Sequence, residues 1–215
     1  MVHSHRNFGS SLTGDQALAR LKAGNARFIS GKAQFPTVQK EVLAMLALRQ
    51  DPFATILGCS DSRVPPELLF DASFGQLFVI RVAGNVLGTA IEGSLQYAGL
   101  HLRTPLFVVL GHEGCGAVKA ALAVKHEGAR ERSRIALLLE NILPGLQDID
   151  ARLAPQHLLD TAVEANVRWS MHQLLETPEA KARIAEGVMK MVGAVYELHT
   201  GRVRFLPGSS PVTTA

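Results

Sequence analysis

Ala54-Thr55-Ile56-Leu57-Gly58-Cys59-Ser60-Asp61-Ser62-Arg63 is an apolar run that breaks off into a thiol, a carboxylate and a guanidinium at every second position. About fifty residues later Leu106-Phe107-Val108-Val109-Leu110-Gly111-His112-Glu113-Gly114-Cys115-Gly116 ends in an imidazole and a thiol three residues apart. The chain has two cysteines, and both sit in these stretches. Short, uncharged apolar runs of this kind predict strands buried on both faces.

Outward from the first run, 53–57 reads as a strand. Pro66–Phe70 reads as a short helix, with Pro in its first turn. Gln76–Arg81 is a second buried strand, closed by the turn composition Ala83-Gly84-Asn85. Ala90–Leu102 is helical, 106–110 is the third strand, and the Ala-rich 116–125 is helical. Further on, 135–143 and 158–175 read as helices. Met189–Leu198 reads as a strand that turns at His199-Thr200-Gly201-Arg202 into Val203–Leu206. Before the first run, Thr13 caps a helix that begins near Asp15 and reaches Ile29, with Gly24-Asn25 as an interruption, and 38–50 is a second helix stopped by Pro52. The expected fold is therefore α/β: a central, mostly parallel β-sheet flanked by helices, with an N-terminal helical arm and a C-terminal antiparallel edge hairpin. The expected organisation is a flexible stretch at 1–12, one catalytic domain at 13–206 with 13–50 as its arm, and a flexible tail at 207–215. The arm has no obvious place on its own core. Ligands of open α/β sheets sit beyond the carboxyl ends of the strands, where Cys59 and His112 fall.

Composition narrows the function. Of 215 residues, 47% are hydrophobic and 19% charged, as in ordinary globular chains, and the formal net charge is +3. Basic side chains form no dense patch interleaved with aromatics, which argues against a nucleic-acid partner. No apolar run reaches the ~20 residues that cross a bilayer, and the N-terminus lacks the apolar core of a signal peptide. The expectation is a cytoplasmic protein; a periplasmic one would follow if a leader had been removed.

Cys59, His112 and Cys115 form a borderline-soft ligand set suited to Zn²⁺, and three protein ligands leave a fourth tetrahedral position open. Amides at the start of the helix after Cys115 would stabilise its thiolate. Asp61 and Arg63 can form a bidentate pair beside it. The plainer readings are a structural Cys59–Cys115 disulfide, a loop histidine and a surface ion pair.

Cys-Ser-Asp-Ser-Arg-Val at 59–64, Arg-x-Ala-Gly-Asn at 81–85 and Gly-His-x-x-Cys-Gly at 111–116 resemble the signature blocks of the β-class carbonic anhydrases. Lys22-Ala23-Gly24-Asn25-Ala26-Arg27-Phe28 resembles that family's N-terminal arm, and Ser94-Leu95-Gln96-Tyr97-Ala98 its Ser-Leu-Glu-Tyr-Ala helix. The likeness spans about residues 15–206. It implies that Cys59, His112 and Cys115 ligate zinc and that Asp61 with Arg63 is the catalytic dyad. It places Gln50, Phe78, Tyr97 and Gly116 around the substrate. It also implies reversible hydration of CO₂ to bicarbonate and a proton, through attack of zinc-bound hydroxide, in a homodimer or homotetramer whose arm reaches over the neighbour. Val82 stands where many members have Asn, Ala117 where many have a second Gly, and Ile56 where some carry a Trp that helps form a regulatory bicarbonate site. Two alternatives remain at this point: a hydrolase of CS₂ or COS on the same fold, and a non-catalytic zinc- or bicarbonate-binding protein.

Overall fold

The computed structural model describes residues 11–34 and 40–208. Most of the expected flexible ends, and Val38 at the start of the expected second helix, lie outside the described residues. Five strands form one sheet in the order β2-β1-β3-β4-β5, with β1 Ala54–Gly58, β2 Leu77–Arg81, β3 Leu106–His112, β4 Lys190–Tyr196 and β5 Val203–Phe205. Among the described residues the pairs β1–β2, β1–β3 and β3–β4 are parallel and β4–β5 is antiparallel. Around them run α1 Gly14–Ile29, α2 Lys40–Leu46, α3 Pro66–Leu69, α4 Thr89–Tyr97, α5 Gly116–Glu127, α6 Ser133–Glu140, α7 Pro155–Leu175 and α8 Pro178–Ala185. The mostly parallel sheet, its helical cover and the antiparallel edge are as expected.

Successive strand residues feed opposite cores, as the two-residue repeat of a strand requires. Leu57, Phe107, Val109, Met191 and Val195 face the layer that contains α5 and α7. Ile56, Leu106, Val108, Leu110, Val192, Ala194 and Tyr196 face the layer that contains α1 and α3. Burial on both faces is why these strands read as unbroken apolar runs.

The N-terminal arm corrects the sequence reading twice. A reciprocal cap starts α1, in which Gln16 N–H donates to Thr13 Oγ1 at 3.2 Å and Thr13 N–H donates to Gln16 Oε1 at 2.8 Å. The helix then runs without a break through Gly24-Asn25. These two residues are its docking point. A Cβ on residue 24 would lie 1.9 Å from the Phe70 carbonyl oxygen, so only glycine lets α1 lie against the end of α3. Asn25, 4% exposed, donates from Nδ2 to Leu69 O and Gly201 O at 3.0 Å each and accepts at Oδ1 from Val203 N–H at 2.9 Å. Ala17 and Leu21 are fully buried on the chain's own sheet, so the arm does have a place on its own core. Leu12, assigned to the flexible stretch, also packs on this core. The pattern of apolar residues could not show this, because the contact is made by a glycine and an amide.

Smaller differences have local causes. The helix expected over 38–50 is described over Lys40–Leu46, and the one expected over 90–102 changes at Ala98 into a π-helical turn that ends at Arg103 with φ 52°. The helix α8, capped by Thr177 Oγ1 accepting from Ala180 N–H, was not expected. Its Pro178 occupies the first turn, a position that proline tolerates.

Asn25→Ala is expected to strand three buried or part-buried backbone groups. At ~1–3 kcal/mol for each unsatisfied group, partly relieved by water, the loss of unfolding free energy should be about 3 kcal/mol in urea titration.

Candidate metal centre

The two motif-bearing strands are neighbours. Gly58 of β1 lies opposite Leu110 of β3, so Cys59 and His112 emerge side by side at the carboxyl edge of the sheet. Cys115 follows on a turn through Gly114, whose φ of 62° suits a residue without Cβ, and it caps the N-terminus of α5. Gly116 belongs to the first turn of α5. The ligand atoms of Cys59, His112 and Cys115 all lie within 4.8 Å of one another, and all three residues are buried. Both cysteines are free thiols, which removes the disulfide reading.

The chemistry of the set fits a soft dication. His112 Nδ1–H donates to the Glu113 carbonyl at 2.8 Å, which leaves the Nε2 lone pair for a ligand. That Nε2 is buried with no hydrogen-bond partner and lies 3.9 Å from Asp61 Oδ2. The S–H of Cys115 directed at Cys59 holds the Cys59 thiol well below its ordinary range, with His112 and the Gly84 and Asp61 main chain adding to the effect against burial. The same bond, with burial and the charge on Cys59, pushes Cys115 up, while the Val118 and Ala117 amides pull the other way. Those two amides are the helix-start donors expected from the sequence.

Asp61 sits beside the cluster and is gripped by Arg63, whose Nη2 donates to Oδ2 at 2.7 Å and whose Nε and main-chain N–H donate to Oδ1 at 2.9 and 3.0 Å. These bonds hold the carboxyl well below the usual carboxylate range despite its partial burial. The backbone here is a tight turn, closed by Val64 N–H to Asp61 O at 3.0 Å.

Of the residues expected around the substrate, Gly116 adjoins the cluster and the aromatic pair lies back along the sheet. Phe78 lies opposite Thr55, four positions before Cys59, which at ~3.3 Å per residue is roughly 13 Å back along the strand. Tyr97 packs near Phe78, with ring centroids 6.2 Å apart, and is 46% exposed. Gln50 is exposed beyond α2, and Gly116 is exposed beside Cys115.

Two supporting residues stand within the motif stretches of the sequence, which assign them no role. Arg81 Nε and Nη2 donate to Cys59 O at 3.0 Å and Asp61 O at 2.6 Å, tying β2 to the first loop. Glu113, between two ligands, turns away to accept from Leu198 N–H at 2.8 Å and to pair with His199 Nδ1 at 2.8 Å. It fastens the second loop to the β4–β5 turn, where α1 is also held through Gly201.

A buried thiol–imidazole–thiol set at the carboxyl edge of a parallel sheet is a ligand set compatible with a catalytic zinc site. The profile of the carbonic anhydrase family matches residues 54–203. Carbonic anhydrase 2 of Mycobacterium tuberculosis is 39% identical over 194 residues, covering 85% of this chain and 87% of that protein. The β-carbonic anhydrase CafA of Aspergillus fumigatus superposes with a TM-score of 0.71 at 26% identity, covering 92% of each chain. The Coccomyxa β-carbonic anhydrase, solved with acetazolamide, gives 0.69 at 27% identity, covering 92% of this chain and 87% of that one. The chain belongs to the carbonic anhydrases, and to their β class. Its reaction is the reversible hydration of CO₂.

Glu113→Ala is expected to leave the Leu198 amide unpaired and to cost about 1–2 kcal/mol, read by urea titration, with faster loss of bound metal to a chelator.

Proposed function

We propose that Cys59, His112 and Cys115 hold one Zn²⁺ per chain and that Asp61, held by Arg63, orients the attacking oxygen nucleophile in CO₂ hydration. The observation that carries this reading is the buried, unpartnered His112 Nε2, set within 4.8 Å of two free cysteine sulfurs and 3.9 Å from Asp61. Zinc in such a set supplies Lewis acidity, bringing the ionisation of water from a pKa of ~15.7 towards ~7. Asp61 Oδ2 lies 3.9 Å from His112 Nε2 and accepts one bond from Arg63, which leaves it a second lone pair. With Arg63 holding both carboxylate oxygens, Asp61 takes a hydrogen bond from the nucleophile on that lone pair and aims the nucleophile at carbon. Arg81 keeps the Cys59–Asp61 main chain in place while this happens.

The apolar side of the pocket is proposed to come from a second copy of the chain. Phe78 is too far back along β2 to serve the cluster of its own chain, and Tyr97, at the end of α4, packs beside it. There β2 is an edge strand, and Leu43, Phe74 and Tyr97 are 49%, 64% and 46% exposed. An exposed strand edge with apolar flanks is a surface that proteins cover. A two-fold pairing across it would bring Phe78, Tyr97 and Gln50 of one copy towards the cluster of the other. The need to keep two thiols reduced favours the cytoplasm as the compartment. Among the described residues no helix is long and apolar enough to cross a membrane.

Zinc content and stopped-flow CO₂ hydration test the centre. Cys59→Ser and His112→Ala should lose both metal and activity. Asp61→Asn should keep the metal and lose activity on the order of 100-fold. Full activity in a zinc-free preparation would overturn the assignment, and CS₂ consumption measured in parallel separates the two linear substrates.

Subunit complementation tests the pocket. Cys59→Ser and the double variant Phe78→Ala/Tyr97→Ala should each be strongly impaired. When the two are co-refolded, random pairing should restore about a quarter of the sites, because one site in each mixed dimer is intact. No recovery in proven mixed dimers would place the pocket within a single chain.

A further inference from the structure

The turn at residues 82–85 reaches the metal cluster through its main chain. Gly84 N–H donates to Cys59 Sγ at 3.3 Å. The turn needs two consecutive residues with positive φ, Gly84 at 71° and Asn85 at 45°. The second is a left-handed conformation that most side-chain-bearing residues avoid and that asparagine adopts more readily than they do. Asn85 N–H closes the turn onto Val82 O at 3.0 Å, and Val82 N–H is held by Gly58 O at 3.1 Å. The turn also stands on two side chains from α7, more than eighty residues away in sequence. Asn166 Nδ2 donates to Gly84 O at 2.8 Å, and Ser170 Oγ donates to Asn85 O at 3.0 Å.

These two side chains are out of character with their surroundings. Asn166 and Ser170 are 0% and 1% exposed, one helical turn apart, on a face of α7 otherwise made of Ala162, Val163, Val167, Met171 and Leu174. Asn166 Oδ1 makes no hydrogen bond with the protein. A buried amide with an unpaired oxygen is a poor stabiliser compared with a packed apolar residue. Its donor end is nevertheless aimed at the carbonyl of the residue whose N–H meets Cys59. Gly84 O shares its planar peptide unit with Asn85 N–H, so the bonds from Asn166 and to Val82 O hold that unit from both sides. The Gly84 N–H lies in the preceding unit, one Cα hinge away, and its aim is set by the shape of the turn as a whole.

We propose that Asn166 and Ser170 are positioning residues for the metal centre, holding the 82–85 turn in the conformation that aims the Gly84 N–H at Cys59 Sγ. The inference rests on the reading of Cys59 as a zinc ligand. An N–H donor on a thiolate draws electron density from sulfur. It therefore stabilises the thiolate against protonation and reduces its donation to the metal, which keeps the metal the stronger Lewis acid. Loss of either α7 side chain loosens the turn, lengthens the N–H···S contact and makes Cys59 both a stronger donor and a more labile ligand.

The test uses the full-length holoenzyme and its Co²⁺-substituted form, with Asn166→Ala, Ser170→Ala and, as a packing control on the same helix, Leu174→Ala. Zinc release to a chelator should speed up about tenfold or more in Asn166→Ala, within the 10–100-fold range typical of groups behind a metal ligand. Ser170→Ala should show a smaller increase. In both variants the thiolate-to-cobalt charge-transfer band should move to lower energy. Leu174→Ala should lower the unfolding midpoint and leave the release rate and band where they are in the parent. If Asn166→Ala does not fold, Ser170→Ala, which loses a single oxygen atom, decides the matter. Release rates and spectra in the two α7 variants that move no more than those of Leu174→Ala would overturn the inference and leave the zinc reading standing. A parent enzyme with no thiolate-to-cobalt band would overturn both.

Discussion

The parallel pairing of β1 with β3 is the constraint on which this molecule depends. With Gly58 opposite Leu110, the two strands deliver Cys59 and His112 to one edge of the sheet. A one-residue slip would turn every side chain of β1 to the opposite face. It would exchange the cores served by Ile56 and Leu57 and carry Cys59 away from the imidazole. The register is enforced by burial on both faces, since each strand residue has an apolar layer waiting for it. The metal centre is thus a by-product of packing at strand ends. The costly part, holding two sulfurs and an imidazole in a nearly dry place, is borne by a core that would form for other reasons.

Around that edge the loops are fixed by polar bonds from distant parts of the chain. Arg81 binds the main chain of the first loop. Glu113 ties the second to the β4–β5 turn. Asn25 ties that same turn to α1 and to the end of α3. The docking of α1 and the placement of His112 are therefore mechanically linked through residues 197–203. This gives the first helix a function in its own chain quite apart from any contact with a neighbour.

The fold was readable wherever burial writes itself into composition. The five strands, the capped first helix and the long α7 all follow from apolar runs, periodicity and capping residues. The ligand set was readable because thiols are scarce and both stand at strand ends. What escaped was information carried by single polar residues meeting partners far along the chain. Gly24-Asn25 looked like a break because glycine and asparagine usually are breaks; here the missing Cβ and the amide are what the docking uses. Asn166 and Ser170 left only a faint sign, two polar residues a turn apart on an apolar helix face. Phe78 and Tyr97 could be named from family likeness, but the β1–β2 register is what places Phe78 back along the sheet from its own chain's cluster, with Tyr97 packed beside it.

In the proposed zinc site two thiolates would bring about two negative charges to one dication, which by itself would blunt the metal's Lewis acidity relative to a set of neutral imidazoles. The structure answers with main-chain amides. Gly84 faces one sulfur, and Ala117 and Val118, in the first turn of α5, face the other. An amide dipole is a fixed partial positive charge that needs no counter-ion and no proton exchange, and in a dry site it acts at close to full strength. The α5 donors come with the helix and are rigid by construction. The Gly84 donor comes from a four-residue turn with no helix behind it, and a turn of that kind keeps its aim only if something else holds its carbonyls. That asymmetry between the two sulfurs explains why polar side chains are buried under one loop and none of this kind is needed under the other.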